Sequence, residues 1–220
     1  MTIGVSINGT LRDFFGKIES THEKYFPSEE EGKEIKVLDY NLEKWVTFEK
    51  KEIIKNEVIF DPNFKEEEFI SSEKSLEIKE VTEDEEVTLQ EFLYEKCCLE
   101  IFGYANETID GAVQSINDLQ LHLGDKHKII ITSREIGRTI PSTLFFLSKT
   151  GCMIQEIKFT LGTIDCWEFV DLMITDHPEI LNSKPEGKKT IKIEKLFNQE
   201  INSDYTIRTV KELIGLEIFN

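Results

Sequence analysis

Side chains able to do chemistry gather at three places where an apolar run breaks into a polar turn. Residues 2–7 (TIGVSI) lead into Ser6-Ile7-Asn8 and then Gly9-Thr10-Leu11. Residues 127–133 (HKIIITS) end in Thr132 and Ser133, with Arg134 next. Residues 169–176 (FVDLMITD) end in Thr175 and Asp176. A serine hydroxyl becomes a nucleophile only beside a base, and no base is near Ser6 in sequence. An asparagine such as Asn8 cannot exchange a proton at neutral pH. Hydroxyls and a guanidinium can hold an anion, and Asp176 is a hard oxygen ligand of the kind Mg²⁺ takes.

The elements that carry these residues read as alternating strands and helices. Residues 2–7 form a short buried strand. Helical spacing of Leu11, Phe14, Phe15, Ile18 and Tyr25 follows, closed by Pro27. Residues 88–102 read as a helix with Thr88 and Glu91 as a capping box, and Gly103 ends it. Residues 108–123 form a second amphipathic helix. The strand ending at Ser133 leads to a helix over 136–149, with Ser133 a possible cap and Gly151 at its C-terminal end. IQEIKF, FVDLMITD and KKTIKI are further strands, and 204–215 make a last helix. This alternation predicts an α/β protein, a Rossmann-like three-layer sandwich around a parallel sheet. In such sheets function sits at the carboxyl ends of the strands, where all three polar breaks fall.

Residues 27–91 differ in character. They hold 21 acidic and nine basic residues, most of the chain's net charge of −17. Glu-rich clusters separate the short apolar pieces EIKVLDY, KWVTF, EVIFD and LEIKEV, which alternate like strands. The segment reads as a β-rich acidic insertion or partner-binding arm, with 1–26 and 92–220 as the α/β core. Trp45, Phe48 and Phe60 are its candidate partner anchors, because buried aromatics dominate interfaces.

Several function classes are disfavoured. Strong acidity argues against direct contact with nucleic-acid phosphates. No run is long and apolar enough to span a membrane. MTIGVSINGT has no basic leader region, which implies cytoplasmic synthesis. Cys97, Cys98, Cys152 and Cys166 form no CxxC pair, which suits a reducing compartment and buried thiols. His22, His122, His127 and His177 form no HxH or HxxxH pair, and GxGxxG and GxxxxGK[ST] are absent.

Residues 3–13, IGVSINGTLRD, resemble the first motif of the haloacid-dehalogenase-like (HAD) phosphohydrolases, hhhDxDGTLxD. Ser6 stands where that family has its nucleophilic Asp, and Asn8 where it has its general acid/base. IIITSRE (129–135) resembles the second motif, with Thr132 as its hydroxyl and Arg134 placed to meet an anion. FVDLMITDHPEIL (169–181) resembles the acidic motif, with Thr175 in place of one acid and Asp176 retained. The family's phosphate-neutralising cation has no equivalent near 160–168; Lys158 lies within a strand pattern and Lys149 at a helix end. The resemblance implies a HAD-like fold with a cap-like insertion at 27–91 and no catalysis. Gly9, Thr10, Thr132 and Arg134 are then a phosphate-binding remnant, and Asp176 a weak metal remnant. No cofactor is expected, with Mg²⁺ only if hydrolysis persists. The expected role is a structural subunit of a multimeric assembly, met through protein partners, for instance a ring or tail-vertex protein of a viral particle. The alternatives are a sensor of phosphorylated ligands and an atypical phosphatase or 5′-nucleotidase.

Overall fold

The computed structural model describes residues 1–27, 34–48, 51–59, 77–85 and 87–219, with 51–59 and 77–85 as backbone. The chain divides into a larger unit, Met1–Thr47 with Leu89–Asn220, and a smaller one, Phe48–Thr88.

The larger unit is built on six parallel strands. β1 (Thr2–Ser6) is followed, after the smaller unit's strands β2 (Lys51–Ile59) and β3 (Glu77–Glu85), by β4 (Lys128–Arg134) and β5 (Ile157–Thr160). β6 (Leu172–Thr175), β7 (Lys189–Ile193) and β8 (Tyr205–Ile207) complete the sheet, in the order β5-β4-β1-β6-β7-β8. The chain starts in the middle, moves outward through β4 and β5, then returns across β1 to β6 and moves outward the other way. This is the α/β, Rossmann-like arrangement that the alternating pattern predicts.

Near-continuous apolar runs suit strands covered on both faces. One face carries Ile3, Val5, Ile129, Ile131, Leu172 and Ile174 into the main core. Alternate residues Ile130 and Met173 face the other way, against Trp167, Val170 and Ile180. A Cβ at Gly4 on that second face would lie 2.6 Å from Val170 Cγ1 and 2.7 Å from Met173 Sδ. The missing side chain lets this layer pack closely.

The helices are α1 (Phe14–Tyr25), α2 (Leu42–Trp45), α3 (Ala112–Leu123), α4 (Thr139–Lys149) and α5 (Pro178–Asn182). Asp13 caps α1 by accepting from the Gly16 N–H at 3.2 Å. Among the described residues no helix is long and apolar enough to cross a membrane.

Four local expectations change. Residues 88–102 do not form a regular α-helix: Glu91–Lys96 and Leu99–Gly103 are π-helical turns, with Cys97 N–H donating to Phe92 C=O and Tyr104 N–H to Leu99 C=O. The helix predicted over 204–215 begins instead as β8, whose Ile207 pairs with Ile193, before a 3₁₀ turn at Val210–Gly215. The alternating Tyr205-Thr206-Ile207 finds an open sheet edge there, and pairing overrides local helical preference. Ser133 caps no helix; its hydroxyl donates to Glu135 Oε1 at 3.0 Å. EIKVLDY and KWVTF are not strands: 34–38 is irregular, Val37 and Val46 are buried, and 42–45 is α2.

In the smaller unit β2 and β3 form an antiparallel pair running from Lys51↔Glu85 to Ile59↔Glu77. The strand-like residues 57–59 and 77–81 fall within this pair.

Candidate functional site

The sheet reverses its winding between β1 and β6, and the crevice beyond their carboxyl ends is the favoured binding position in such folds. Ser6 and Thr175 end these strands. The Ser6 hydroxyl lies 2.8 Å from Thr10 Oγ1 and donates to Thr175 Oγ1 at 3.0 Å. Thr175 Oγ1 also accepts from the His177 backbone N–H at 3.0 Å. The hydroxyls therefore satisfy one another, and among the described residues no base is hydrogen-bonded to the Ser6 hydroxyl.

Tyr40 fills the crevice. Its ring packs against His177 at 4.0 Å between centroids and edge-on to Phe15 at 4.9 Å. Its hydroxyl lies 2.8 Å from Asp176 Oδ1 and 2.9 Å from the Asn8 carbonyl oxygen. Asp176 is fully buried, and its Oδ2 has no hydrogen-bond partner. Burial pushes the Asp176 carboxyl up to about 7, against the opposing pull of the Tyr40 hydrogen bond and the Lys195 charge. Burial, and then the charge of Arg134, lower His177 to about 4. Gly9 makes this closure possible. Its φ is +71°, and a Cβ there would lie 2.1 Å from Asp176 Oδ2 and 2.5 Å from the Tyr40 hydroxyl.

Asn8 is held by a buried guanidinium. Arg12 Nε and Nη2 both donate to Asn8 Oδ1, at 2.9 and 2.5 Å. Nη2 also donates to Glu135 Oε1 at 2.7 Å, and Nη1 donates to Phe102 C=O and Thr143 Oγ1. All five N–H donors of Arg12 are used. Arg12 and Glu135 are both fully buried at the side chain, so the one charge neutralises the other. Burial lowers Arg12 from its ordinary value, and Glu135 pushes back. The guanidinium also stands over the Phe102 ring at 4.9 Å.

A cavity of about 150 Å³ opens beside this closed crevice. Its lining includes Phe14, Tyr94, Phe102, Thr160, Thr163 and Arg134. Arg134 is exposed, and its Nε donates to Leu161 C=O at 3.1 Å.

The residues singled out in the sequence thus separate. Ser6, Asn8, Gly9, Thr10, Thr175 and Asp176 come together at the β1/β6 crevice. Thr132 and Arg134 line the neighbouring cavity together with Ser6 and Asn8. Gly9 and Thr10 do not share that lining with Arg134. Among the described residues no three His, Cys, Asp or Glu side chains are grouped to hold a metal ion. Of the oxygens expected to receive one, Asp176 Oδ1 is engaged by Tyr40 and Asn8 Oδ1 by Arg12, while Asp176 Oδ2 is buried without a hydrogen bond to the described residues. Lys158 pairs with Glu156 at 3.2 Å, and Lys149 donates to Ala105 C=O at 2.9 Å.

Of the proposed anchors, Trp45 is half-buried, and its indole N–H donates to Asp39 Oδ1 at 2.8 Å. Phe48 is half-buried in the smaller unit, and Phe60 lies outside the described residues. Tyr40, Arg12 and Glu135 were not anticipated. Arg12 and Glu135 lie inside the quoted motifs, but a charged residue in sequence carries no sign of burial. No protein-family model matches the chain, and no curated protein matches it.

Proposed function

We propose that this chain is a non-catalytic, HAD-like protein that works by binding, as an interaction subunit of a larger assembly. The observation that carries the reading is the hydrogen-bond closure of the strand ends. Ser6 is tied to Thr10 and Thr175, Asn8 to Arg12, and Asp176 to Tyr40. Hydrolysis of a phosphomonoester needs an activated nucleophile, and the Ser6 hydroxyl is held by two other hydroxyls while Asn8 exchanges no proton. The acidic segment and exposed apolar side chains such as Leu161 (80% exposed) and Leu196 (88%) support a role in protein contact. One concrete form is a ring or tail-vertex component of a virus particle, supported by the Lys-, Glu- and Ile-rich composition and the resemblance.

Two measurements test this. Phosphate release from a broad phosphomonoester panel with Mg²⁺ is expected to stay at background in folded protein. Release that Asp176→Ala abolishes points instead to an atypical phosphatase. Native mass spectrometry is expected to show oligomers, or complexes with co-expressed partners; a strict monomer under every condition refutes the assembly role. A second reading, ligand sensing, has its own observation in Arg134 at the mouth of the cavity.

A further inference from the structure

The β1/β6 crevice is closed by the chain's own Tyr40, but the adjoining cavity is not. We propose that this cavity binds a small carboxylate with a flat apolar body, its carboxylate on Arg134 and its body among Phe14, Tyr94 and Phe102. The inference does not depend on whether the chain assembles.

Size comes first. At about 150 Å³ the cavity matches one known to admit a benzene-sized guest.

The walls set the body of the ligand. Phe14 and Phe102 lie 5.6 Å apart between centroids, and Tyr94 and Phe102 stack at 6.0 Å with 22° between their planes. A flat apolar group suits such walls.

The mouth sets the charge. Arg134 has no carboxylate partner among the described residues. Its one protein hydrogen bond uses Nε, which leaves both terminal nitrogens for a ligand. A guanidinium in that state presents the fork that a carboxylate matches. The hydroxyls of Thr160 and Thr163 also line the cavity, and neither has a hydrogen bond to the described residues. They supply two further donors.

A phosphate dianion fits less well. Among the described residues Arg134 is the only cationic side chain in the lining. Arg12, close behind, is already neutralised by Glu135. A chain of net charge −17 repels a dianion more strongly than a monoanion. His177, lowered to about 4, adds no positive charge at neutral pH.

The test is an isotope-labelled NMR titration of the full chain with benzoate. Benzamide serves as the neutral isostere, benzylamine as the cation and inorganic phosphate as the competing anion. Saturable benzoate binding is expected, with shifts centred on the amides of Tyr94, Thr160, Thr163 and Arg134. Arg134→Gln should weaken benzoate by about tenfold or more while leaving benzamide unchanged. Thr163→Trp, which fills the cavity, should abolish both. Both substitutions fall on exposed or half-exposed side chains, and circular dichroism verifies the fold. The proposal is overturned if benzoate fails to saturate, binds no better than benzamide, is displaced by equimolar phosphate, or shifts amides elsewhere.

Discussion

The Tyr40 hydroxyl stands between two oxygens, 2.8 Å from Asp176 Oδ1 and 2.9 Å from the Asn8 carbonyl. A phenol has one proton and a peptide carbonyl has none. The Tyr40 O–H is therefore shared between two acceptors, the Asp176 carboxyl and the Asn8 carbonyl. Donation to Asp176 favours its charged form, but burial outweighs it and raises the carboxyl to about 7.

Two opposing pH effects follow from this pair of neighbours. Asp176 rises from 3.8 to about 7 on folding, so between those values the folded chain holds a proton that the unfolded chain has lost. Its contribution to stability falls as pH rises through that window. His177 drops from 6.5 to about 4, so there the unfolded chain holds the extra proton and stability rises with pH. Each effect is of order 2–4 kcal/mol at most, at about 1.4 kcal/mol per pKa unit, and in the native chain they largely cancel. Urea denaturation across the pH range should show Asp176→Asn gaining stability as pH rises from about 4 to 6.5. His177→Gln should lose stability from about 4 to 7. Two variants with the profile of the native chain contradict the assignment.

Gly9 should tolerate no side chain. Alanine there meets a left-handed φ of +71° and two oxygens inside 2.6 Å. Strain and the displaced Tyr40–Asp176 contact together should cost about 2–4 kcal/mol. A shift in the urea midpoint reads this directly, and a change below about 0.5 kcal/mol, the level of an ordinary surface substitution, contradicts it.

Arg12 should not be replaceable by lysine. Its five donors reach Asn8, Glu135, Phe102 and Thr143, and an ammonium has three. Arg12→Lys leaves acceptors unpaired in a fully buried place, and Glu135→Gln leaves the guanidinium charge uncompensated. Each should destabilise by about 3–5 kcal/mol. A double change to apolar residues of similar volume should be milder than the sum of the singles, because the charges leave together.

Thiol chemistry should report burial. Cys166 is pushed up to about 11 by desolvation, and Cys97 and Cys152 are raised for the same reason. All four cysteines are free. At pH 8 only about a thousandth of Cys166 is thiolate, so a thiol-reactive reagent should label it far more slowly in native than in unfolded protein. Equal rates in both states contradict its placement under the sheet.

The sequence by itself determined the central strands and the absence of a carboxylate at positions 6 and 8. Ile129-Ile130-Ile131 and Leu172-Met173-Ile174 are apolar over consecutive positions, and strands covered on both faces bury such runs. Gly9 marked a tight turn, and Ser6 and Asn8 showed that neither side chain there is a carboxylate. Tertiary structure alone decided what those side chains do. Tyr40 reaches Asp176 across 136 positions of chain, and Arg12 reaches Glu135 across 123. Local periodicity places a charged or phenolic residue in solvent, because burial is costly until a partner is found. The partner comes from another strand or loop, so the pairing exists only once the sheet has brought the two segments together. The same holds for the cavity, whose lining gathers residues 14, 94, 102, 134, 160 and 163 from separate segments. Strand order set their meeting, and that order is chosen by non-local packing rather than by any single segment.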